Sequence, residues 1–220
     1  MNSSFSKHTS VKHEEGVIKF NVVHKDTLPL DHPQLLELNA WRNLLFKVGL
    51  TGQDPDRYGG LGYGNFSIRE NGTQFLVSGT QTGMLAELGK EHYVRILSAD
   101  LTQNHVESEG PLPPSSETMT HAAVYAANPE IKCVFHVHQP IIWGLSRKLC
   151  LPETPPDILY GTVAMARQIG ALIRSHHGPV IAMKGHEDGL IAVGVTLKDA
   201  GGAIMDILAK ALAWPSNPLK

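Results

Sequence analysis

The stretch Lys132-Cys133-Val134-Phe135-His136-Val137-His138 is typical of a short buried strand that ends in two histidines. Because strand side chains alternate between faces, His136 and His138 share one face of this strand. Two neutral imidazoles on one face suit a divalent transition metal such as zinc. The spacing alone is weak, since a chain with 12 histidines in 220 residues produces it by chance. Two structural histidines at a strand end are therefore the alternative, and other residues must complete a site.

Composition indicates a globular chain with 42% hydrophobic and 18% charged residues. A formal net charge of −2 and scattered Lys and Arg predict no nucleic-acid partner. No apolar run approaches the roughly 20 residues that span a bilayer, and the N-terminus lacks the apolar core of a secretory signal. A cytoplasmic protein without membrane contact is expected. Cys133 and Cys150 are interpreted as a core thiol and a loop thiol rather than a disulfide framework.

The pattern divides the chain into an N-terminal extension, residues 1–32, and a single domain, residues 33–220. The extension is interpreted as a mobile tail plus a possible edge strand at residues 16–24. A helix is predicted to begin at residues 31–33, with Asp31 as its cap, and to end at Gly49.

Strands and helices alternate irregularly along the domain. Strands are predicted at residues 65–69, 74–78, 93–97, 132–138, 179–183 and 190–193. Helices are predicted from Ser115 to Asn128, at residues 140–148, from a Thr162 cap, and from a Thr196 capping box to about Trp214. This order of hairpins and helices predicts an α/β fold, a three-layer α/β/α arrangement with a mixed, mostly antiparallel central sheet.

A third metal ligand is needed, since a catalytic zinc usually takes three protein ligands. His186 lies in the tight turn between two late apolar strands, where a side chain can reach across the end of the sheet. His121, His176 and His177 compete for the same place, and spacing alone does not choose among them.

Pro114-Ser115-Ser116-Glu117 stands at a predicted helix start. Backbone amides there, with two hydroxyls beside them, form a natural cradle for phosphate or carboxylate. Glu117 would serve as a general acid/base if it faces the metal. In the alternative reading one serine is only the helix cap, and Glu117 is a surface residue favoured by the helix dipole.

Two further segments carry small polar residues at strand ends. Asn65 and Ser67 point the same way in Gly64-Asn65-Phe66-Ser67, and Gly79 in Ser78-Gly79-Thr80 allows close backbone approach. Each segment taken alone is better explained as turn chemistry.

In combination, these segments resemble the class II aldolase/adducin family over about residues 33–213. The resemblance rests on Gly64-Asn65-x-Ser67, Ser78-Gly79, Pro114-Ser115-Ser116-Glu117, His136-Val137-His138 and the late His186. It implies zinc held by His136, His138 and His186, with Glu117 as acid/base. It also implies a substrate phosphate held by Asn65, Gly79, Ser115 and Ser116, with Ser78 or Thr82-Gly83 as further candidates. A homotetramer with sites at subunit boundaries is implied as well.

The resemblance implies a zinc-dependent aldehyde-lyase that cleaves or rearranges a small phosphorylated hydroxy-ketone through a metal-stabilised enediolate. A dehydratase, epimerase or decarboxylase on a related sugar phosphate is the alternative within the same site class. A non-catalytic adducin-like scaffold and a metal-binding module without turnover are alternatives from other classes. The chain departs from the sugar-phosphate aldolases in its short 144–160 segment and in lacking a tyrosine after Tyr160.

Overall fold

The computed structural model describes residues 17–176 and 178–215. Its strands are β1 (Asn21–Asp26), β2 (Gly52–Gln53), β3 (Gly62–Tyr63), β4 (Asn65–Arg69), β5 (Phe75–Ser78), β6 (Tyr93–Asp100), β7 (His105–Gly110), β8 (Cys133–His138), β9 (Val180–Ala182) and β10 (Gly189–Gly194). Eight of them form one sheet in the order β1-β7-β6-β5-β4-β8-β10-β9, and β2 pairs with β3 separately. Only the β1–β7 pair of the large sheet is parallel. The predicted mixed, mostly antiparallel sheet is confirmed.

Helices cover both faces of the sheet. They are α1 (Leu35–Lys47), α2 (Thr118–Ala127), α3 (Pro140–Gly144), α4 (Val163–Ser175) and α5 (Leu197–Ala213). Apolar residues of α1, α3 and α5 bury themselves against one face, and those of α2 and α4 against the other, which gives two separate cores. Because strand side chains alternate between faces, β8 contributes to both cores: Phe135 packs on the first face and Val134 on the second. The three-layer α/β/α prediction is therefore confirmed.

Local capping signals account for two helix starts. The Thr162 hydroxyl accepts a hydrogen bond from the Met165 N–H at the start of α4. Thr196 and Asp199 form the reciprocal capping box that begins α5. Both caps agree with the predictions from sequence.

Several predicted boundaries were wrong. Asp31 does not cap α1, because its carboxylate accepts from Lys90 Nζ at 3.0 Å and the helix starts after Gln34. Ser115 and Ser116 precede α2, whose capping position is Glu117. The helix predicted over residues 140–148 stops at Gly144.

The first and seventh strands also differ from expectation. β1 begins five residues later than the predicted edge strand, and it lies at the edge of the sheet beside β7. No prediction covered β7, where Val106 is the single large apolar residue. The division of the chain at residue 32 stays a prediction, and residues 1–16 lie outside the described part.

Strand β8 sits between β4 and β10, so its end brings three parts of the chain together. Asn65 of β4 lies opposite His136, and Gly189 of β10 lies opposite His138. Across the described residues, none of the helices combines the length and apolarity that a bilayer crossing requires.

Candidate active site

Three buried histidines converge at the end of β8. Each of His136, His138 and His186 is at most 2% exposed. One ring nitrogen from each lies within 4.8 Å of the others. His136 and His138 project from one face of β8, while the turn between β9 and β10 carries His186. Among the described residues, no other group of three His, Cys, Asp or Glu side chains converges this way.

The nitrogen geometry fits a tetrahedral metal ion. His136 Nδ1 lies 3.1 Å from the Leu190 carbonyl oxygen, so Nδ1 donates its proton there and Nε2 is left as the ligand atom. The Nε2 atoms of His136 and His138 are 3.1 Å apart. Two nitrogens bound tetrahedrally at zinc–nitrogen distances of 2.0–2.1 Å would lie about 3.3 Å apart.

His138 is held in the neutral form that a metal requires. Burial lowers its pKa well below the ordinary value, and His186, His136 and Arg57 lower it further. Its Nδ1 has no hydrogen-bond partner among the described residues. Neutral, buried, converging imidazoles are the donor set that divalent transition metals accept, so the residues present fit the metal.

Two glycines make the His186 turn possible. A Cβ at Gly189 would lie 2.9 Å from His186 Cγ, and one at Gly185 would lie 1.8 Å from the Ile158 carbonyl oxygen. Any side chain at either position would displace the turn. The ring of Tyr160 stacks on His186 with centroids 4.3 Å apart, which fixes the imidazole from the other side.

The candidate acid/base residue is buried. Glu117 is 1% exposed, so its alternative interpretation as a surface residue was wrong. Its Oε2 accepts a hydrogen bond from Thr120 Oγ1 at 2.7 Å. Its Oε1 lies 3.8 Å from where a Cβ of Gly161 would stand, and Gly161 follows the tyrosine that stacks on His186. Glu117 is therefore buried next to the Tyr160-Gly161 segment, whose tyrosine stacks on His186.

Small polar residues form a pocket beside the histidines, here called the polar pocket. Its lining comprises Gly62, Gly64, Asn65, Gly79, Thr80, Gln81, Thr82, Gly83, Ser115 and Ser116. Four predicted phosphate-binding residues and the Thr82-Gly83 candidate thus lie together. No Lys, Arg or His is among these lining residues. The Oδ1 of Asn65 is buried and has no hydrogen-bond partner within the described ranges.

Ser78 does not line this pocket. Its hydroxyl oxygen accepts a hydrogen bond from the Phe66 N–H at 3.1 Å, and the side chain is 1% exposed. The structure therefore places Ser78 in the sheet, tying β5 to β4 next to Asn65.

The competing histidines lie elsewhere. His121 on α2 is hydrogen-bonded through Nδ1 to Ser67 Oγ at 2.6 Å, and Ser67 also bonds the Tyr125 hydroxyl. Burial lowers the pKa of His121 to about 3, with a further contribution from His136. His176 is exposed and is not part of the converging group. His177 lies outside the described residues.

An aromatic wall next to His138 was missed by sequence reasoning. The Tyr58 ring lies edge-on to the His138 ring at 4.6 Å, and Tyr63 contacts both rings. The Tyr58 hydroxyl donates to Asp188 Oδ2 at 2.7 Å, and Arg57 pairs with the same oxygen. Burial, followed by this hydrogen bond, raises the pKa of Tyr58. The sequence feature that could have indicated this wall is the pair of tyrosines that flank glycines just before Gly64-Asn65.

The sequence profile described as the class II aldolase and adducin N-terminal domain matches residues 56–207. The chain belongs to this family. The match spans all three histidines, Glu117 and every residue of the polar pocket.

The chain is similar in sequence to an adducin and to a decarboxylase. α-Adducin from Mus musculus is 34% identical over 93 residues, which covers 36% of this chain and 12% of the adducin. 3-Oxo-tetronate 4-phosphate decarboxylase from Haemophilus influenzae is 33% identical over 96 residues, covering 44% of this chain and 41% of the decarboxylase. The chain thus matches less than half of the length of either relative.

A solved structure shares the fold. L-Fuculose-1-phosphate aldolase from Thermus thermophilus superposes with a TM-score of 0.60 at 23% identity, covering 80% of this chain and 90% of the aldolase. At this identity the likeness supports the architecture alone. The superfamily to which the chain belongs contains aldolases, a decarboxylase and adducins.

Proposed function

We propose that this chain is a metal-dependent carbon–carbon lyase of the class II aldolase type, acting on a small phosphorylated hydroxy-ketone. The observation that carries the proposal is the adjacency of two sites. The three-histidine cluster and the polar pocket meet where Asn65 on β4 lies directly opposite His136 on β8. One small molecule with a metal-binding end and an anionic end would fit such a pair of sites.

His136, His138 and His186 would hold the ion, and zinc is the ion we expect from three nitrogen ligands. A bound divalent ion would supply Lewis acidity for the negative charge that develops on the oxygens of the hydroxy-ketone. The hydrogen bond from His136 Nδ1 to Leu190 would keep its Nε2 aimed at the ion.

Glu117 would move the proton. Its carboxylate is buried, and the Thr120 hydroxyl holds one of its two oxygens. The other oxygen lies beside Gly161 in the region where the Tyr160 ring covers His186. A carboxylate held there is suited to take a proton from substrate carbon, or to return one, as carbon–carbon bonding changes.

The polar pocket would anchor the phosphate. Ser115 and Ser116 offer hydroxyls next to the start of α2, where helix amides favour an anion. The Asn65 amide and the Gly79 backbone complete the lining on the strand side. Binding energy from a remote phosphate would position the reacting end of the substrate. Both the decarboxylase and the aldolase named above carry a phosphate in their substrates' names.

A decarboxylase is the second candidate. The Haemophilus influenzae relative is itself named as a decarboxylase and matches 44% of this chain. The same residues would serve that reaction, because loss of carbon dioxide next to a carbonyl also leaves negative charge on the carbonyl oxygen, which the Lewis acidity of a bound divalent ion would stabilise. The two reactions are separated by whether the leaving fragment is an aldehyde or carbon dioxide.

Hydrogen exchange at carbon tests the proposal without knowledge of the full substrate. Metal-loaded protein is incubated in deuterium oxide with dihydroxyacetone phosphate, the simplest phosphorylated hydroxy-ketone, and deuterium uptake is followed by NMR. We expect stereospecific uptake at the hydroxymethyl carbon. Absence of uptake in protein shown to contain its metal would argue against a lyase and favour the adducin-like scaffold. The homotetramer is a further proposal, tested by light scattering of the purified protein.

A further inference from the structure

A buried arginine lies directly behind the polar pocket. Arg42 is on α1, is 1% exposed, and stands between the buried leucines of that helix. Its guanidinium donates hydrogen bonds to the carbonyl oxygens of Thr82, Gly83, Leu85 and Ala86. The distances are 3.2 Å to the Thr82 oxygen, 3.2 Å to the Gly83 oxygen and 2.9 Å to the Ala86 oxygen. Thr82 and Gly83 are lining residues of the polar pocket.

These bonds dictate which way the loop amides face. The described chain has no cis peptide bonds, and in a trans peptide the C=O and the following N–H point in opposite directions. With the Thr82 and Gly83 carbonyls turned to Arg42, the N–H groups of Gly83 and Met84 point away from it. A Cβ on Gly62, another lining residue, would stand 2.5 Å from the Met84 nitrogen. The Met84 nitrogen therefore lies against Gly62, on the side of the loop away from Arg42.

Arg42 also supplies charge that the lining lacks. Its acceptors are neutral carbonyls, and no carboxylate of the described residues forms an ion pair with it. The lining itself contains only glycine, serine, threonine, asparagine and glutamine. Because solvent is excluded around Arg42, water poorly screens the positive charge of its guanidinium, which contacts the backbone of the lining residues Thr82 and Gly83.

We propose that Arg42 is a positioning residue for anion binding: it turns the 82–86 loop so that its amides face the polar pocket, and it makes the pocket electropositive from behind. This inference rests on the proposed function, which assigns a substrate phosphate to that pocket. Asn39 provides a matched comparison, because it ties α1 to the Leu88 carbonyl, two residues beyond this loop, without carrying a charge.

Calorimetric titration of inorganic phosphate into chelator-treated full-length protein tests the inference. Arg42→Met should weaken phosphate binding by about tenfold or more, the scale expected when a hydrogen-bonded charge is lost. Arg42→Lys, which keeps the charge but not the four bonds, should lie between. Asn39→Ala should bind within about twofold of wild type. Metal content, measured on untreated samples, should be equal in all four proteins.

A second measurement covers the possibility that Arg42→Met fails to fold. In wild-type protein, phosphate should shift the NMR signals of the Gly83 amide and the Arg42 guanidinium together. Folded Arg42→Met with wild-type phosphate affinity, or bound phosphate that moves neither signal, would overturn the inference and leave the proposed function standing. Wild-type protein that binds no phosphate would instead contradict the phosphate assignment itself.

Discussion

Asn65 and His136 are register partners on the antiparallel strands β4 and β8. Directly opposed residues in such a pair project to the same face, with Cβ atoms about 4.5–5.5 Å apart. Strand pairing therefore fixes the separation between the polar pocket and the histidine cluster. A slip of one residue would put Phe66 opposite His136 and turn Asn65 to the other face. The register of the sheet thus sets the distance that a ligand bound at both sites would have to span.

Metal content should depend on the histidines that converge. Purified wild-type protein should carry about one divalent ion per chain, and the double variant His136→Ala with His138→Ala should lose it, as measured by elemental mass spectrometry. His176→Ala is the matched control, since that histidine is exposed and outside the cluster. Full metal retention in the double variant would refute the assigned site.

Glu117→Gln should separate metal binding from proton transfer. The substitution keeps shape and the possibility of a bond to Thr120, but it removes the basic oxygen. We expect unchanged metal content and at least about a 100-fold loss of deuterium exchange into dihydroxyacetone phosphate, the usual scale for a general acid/base. Glu130→Gln, on the exposed side past α2, should exchange at the wild-type rate. Equal rates in both variants would remove Glu117 from the mechanism.

The link between Tyr58 and Asp188 should contribute to stability. Tyr58→Phe leaves the buried Asp188 carboxylate without one of its donors, which should lower the free energy of unfolding by about 1–3 kcal/mol. In Tyr63→Phe the lost bond is the long one of 3.3 Å to the Gly49 carbonyl, so the change should be under about 0.5 kcal/mol. Urea denaturation of both variants in metal-free form measures the two changes. An equal loss of unfolding free energy in both would contradict a stabilising role for the bond between Tyr58 and Asp188.

Acid should destabilise the fold partly through His121. Its pKa is about 3 in the folded protein against an ordinary 6.5, because burial disfavours the charged ring. Between these values the unfolded chain binds a proton that the folded chain does not, so stability falls as the pH drops below about 6.5. This one group contributes up to about 1.4 kcal/mol per pH unit. In His121→Gln, urea denaturation from pH 7 to pH 4 should show a shallower decline; an identical slope would contradict the buried neutral ring.

Sequence patterns predicted the parts of the site that local periodicity governs. Alternation placed His136 and His138 on one face of β8, and the tight turn put His186 at the end of the neighbouring strands. The choice of His186 over His121 needed the sheet order, because it depends on which strand lies beside β8. β7 was missed for a related reason: with one large apolar residue, it is a strand because β1 and β6 pair on its two sides.

Arg42 and Tyr58 show that local sequence patterns do not predict contacts between residues far apart in the chain. Arg42 occupies a buried helix position where an apolar residue is the usual expectation, and its burial is offset by carbonyls 40 or more residues away. Tyr58 adopts a left-handed backbone conformation, with φ of +52°, that a bulky residue rarely takes. A partner 130 residues later in the chain holds it there. Contacts at such separations become visible only in the folded structure.

We propose that one ligand spans the histidine cluster and the polar pocket. The most direct measurement is a crystal structure of zinc-loaded protein with a two-carbon hydroxamate that carries a phosphate. We expect hydroxamate oxygens on an ion held by His136, His138 and His186, with the phosphate against Ser115, Ser116 and the 79–83 loop. A phosphate bound away from the polar pocket, or an ion held by other residues, would contradict it.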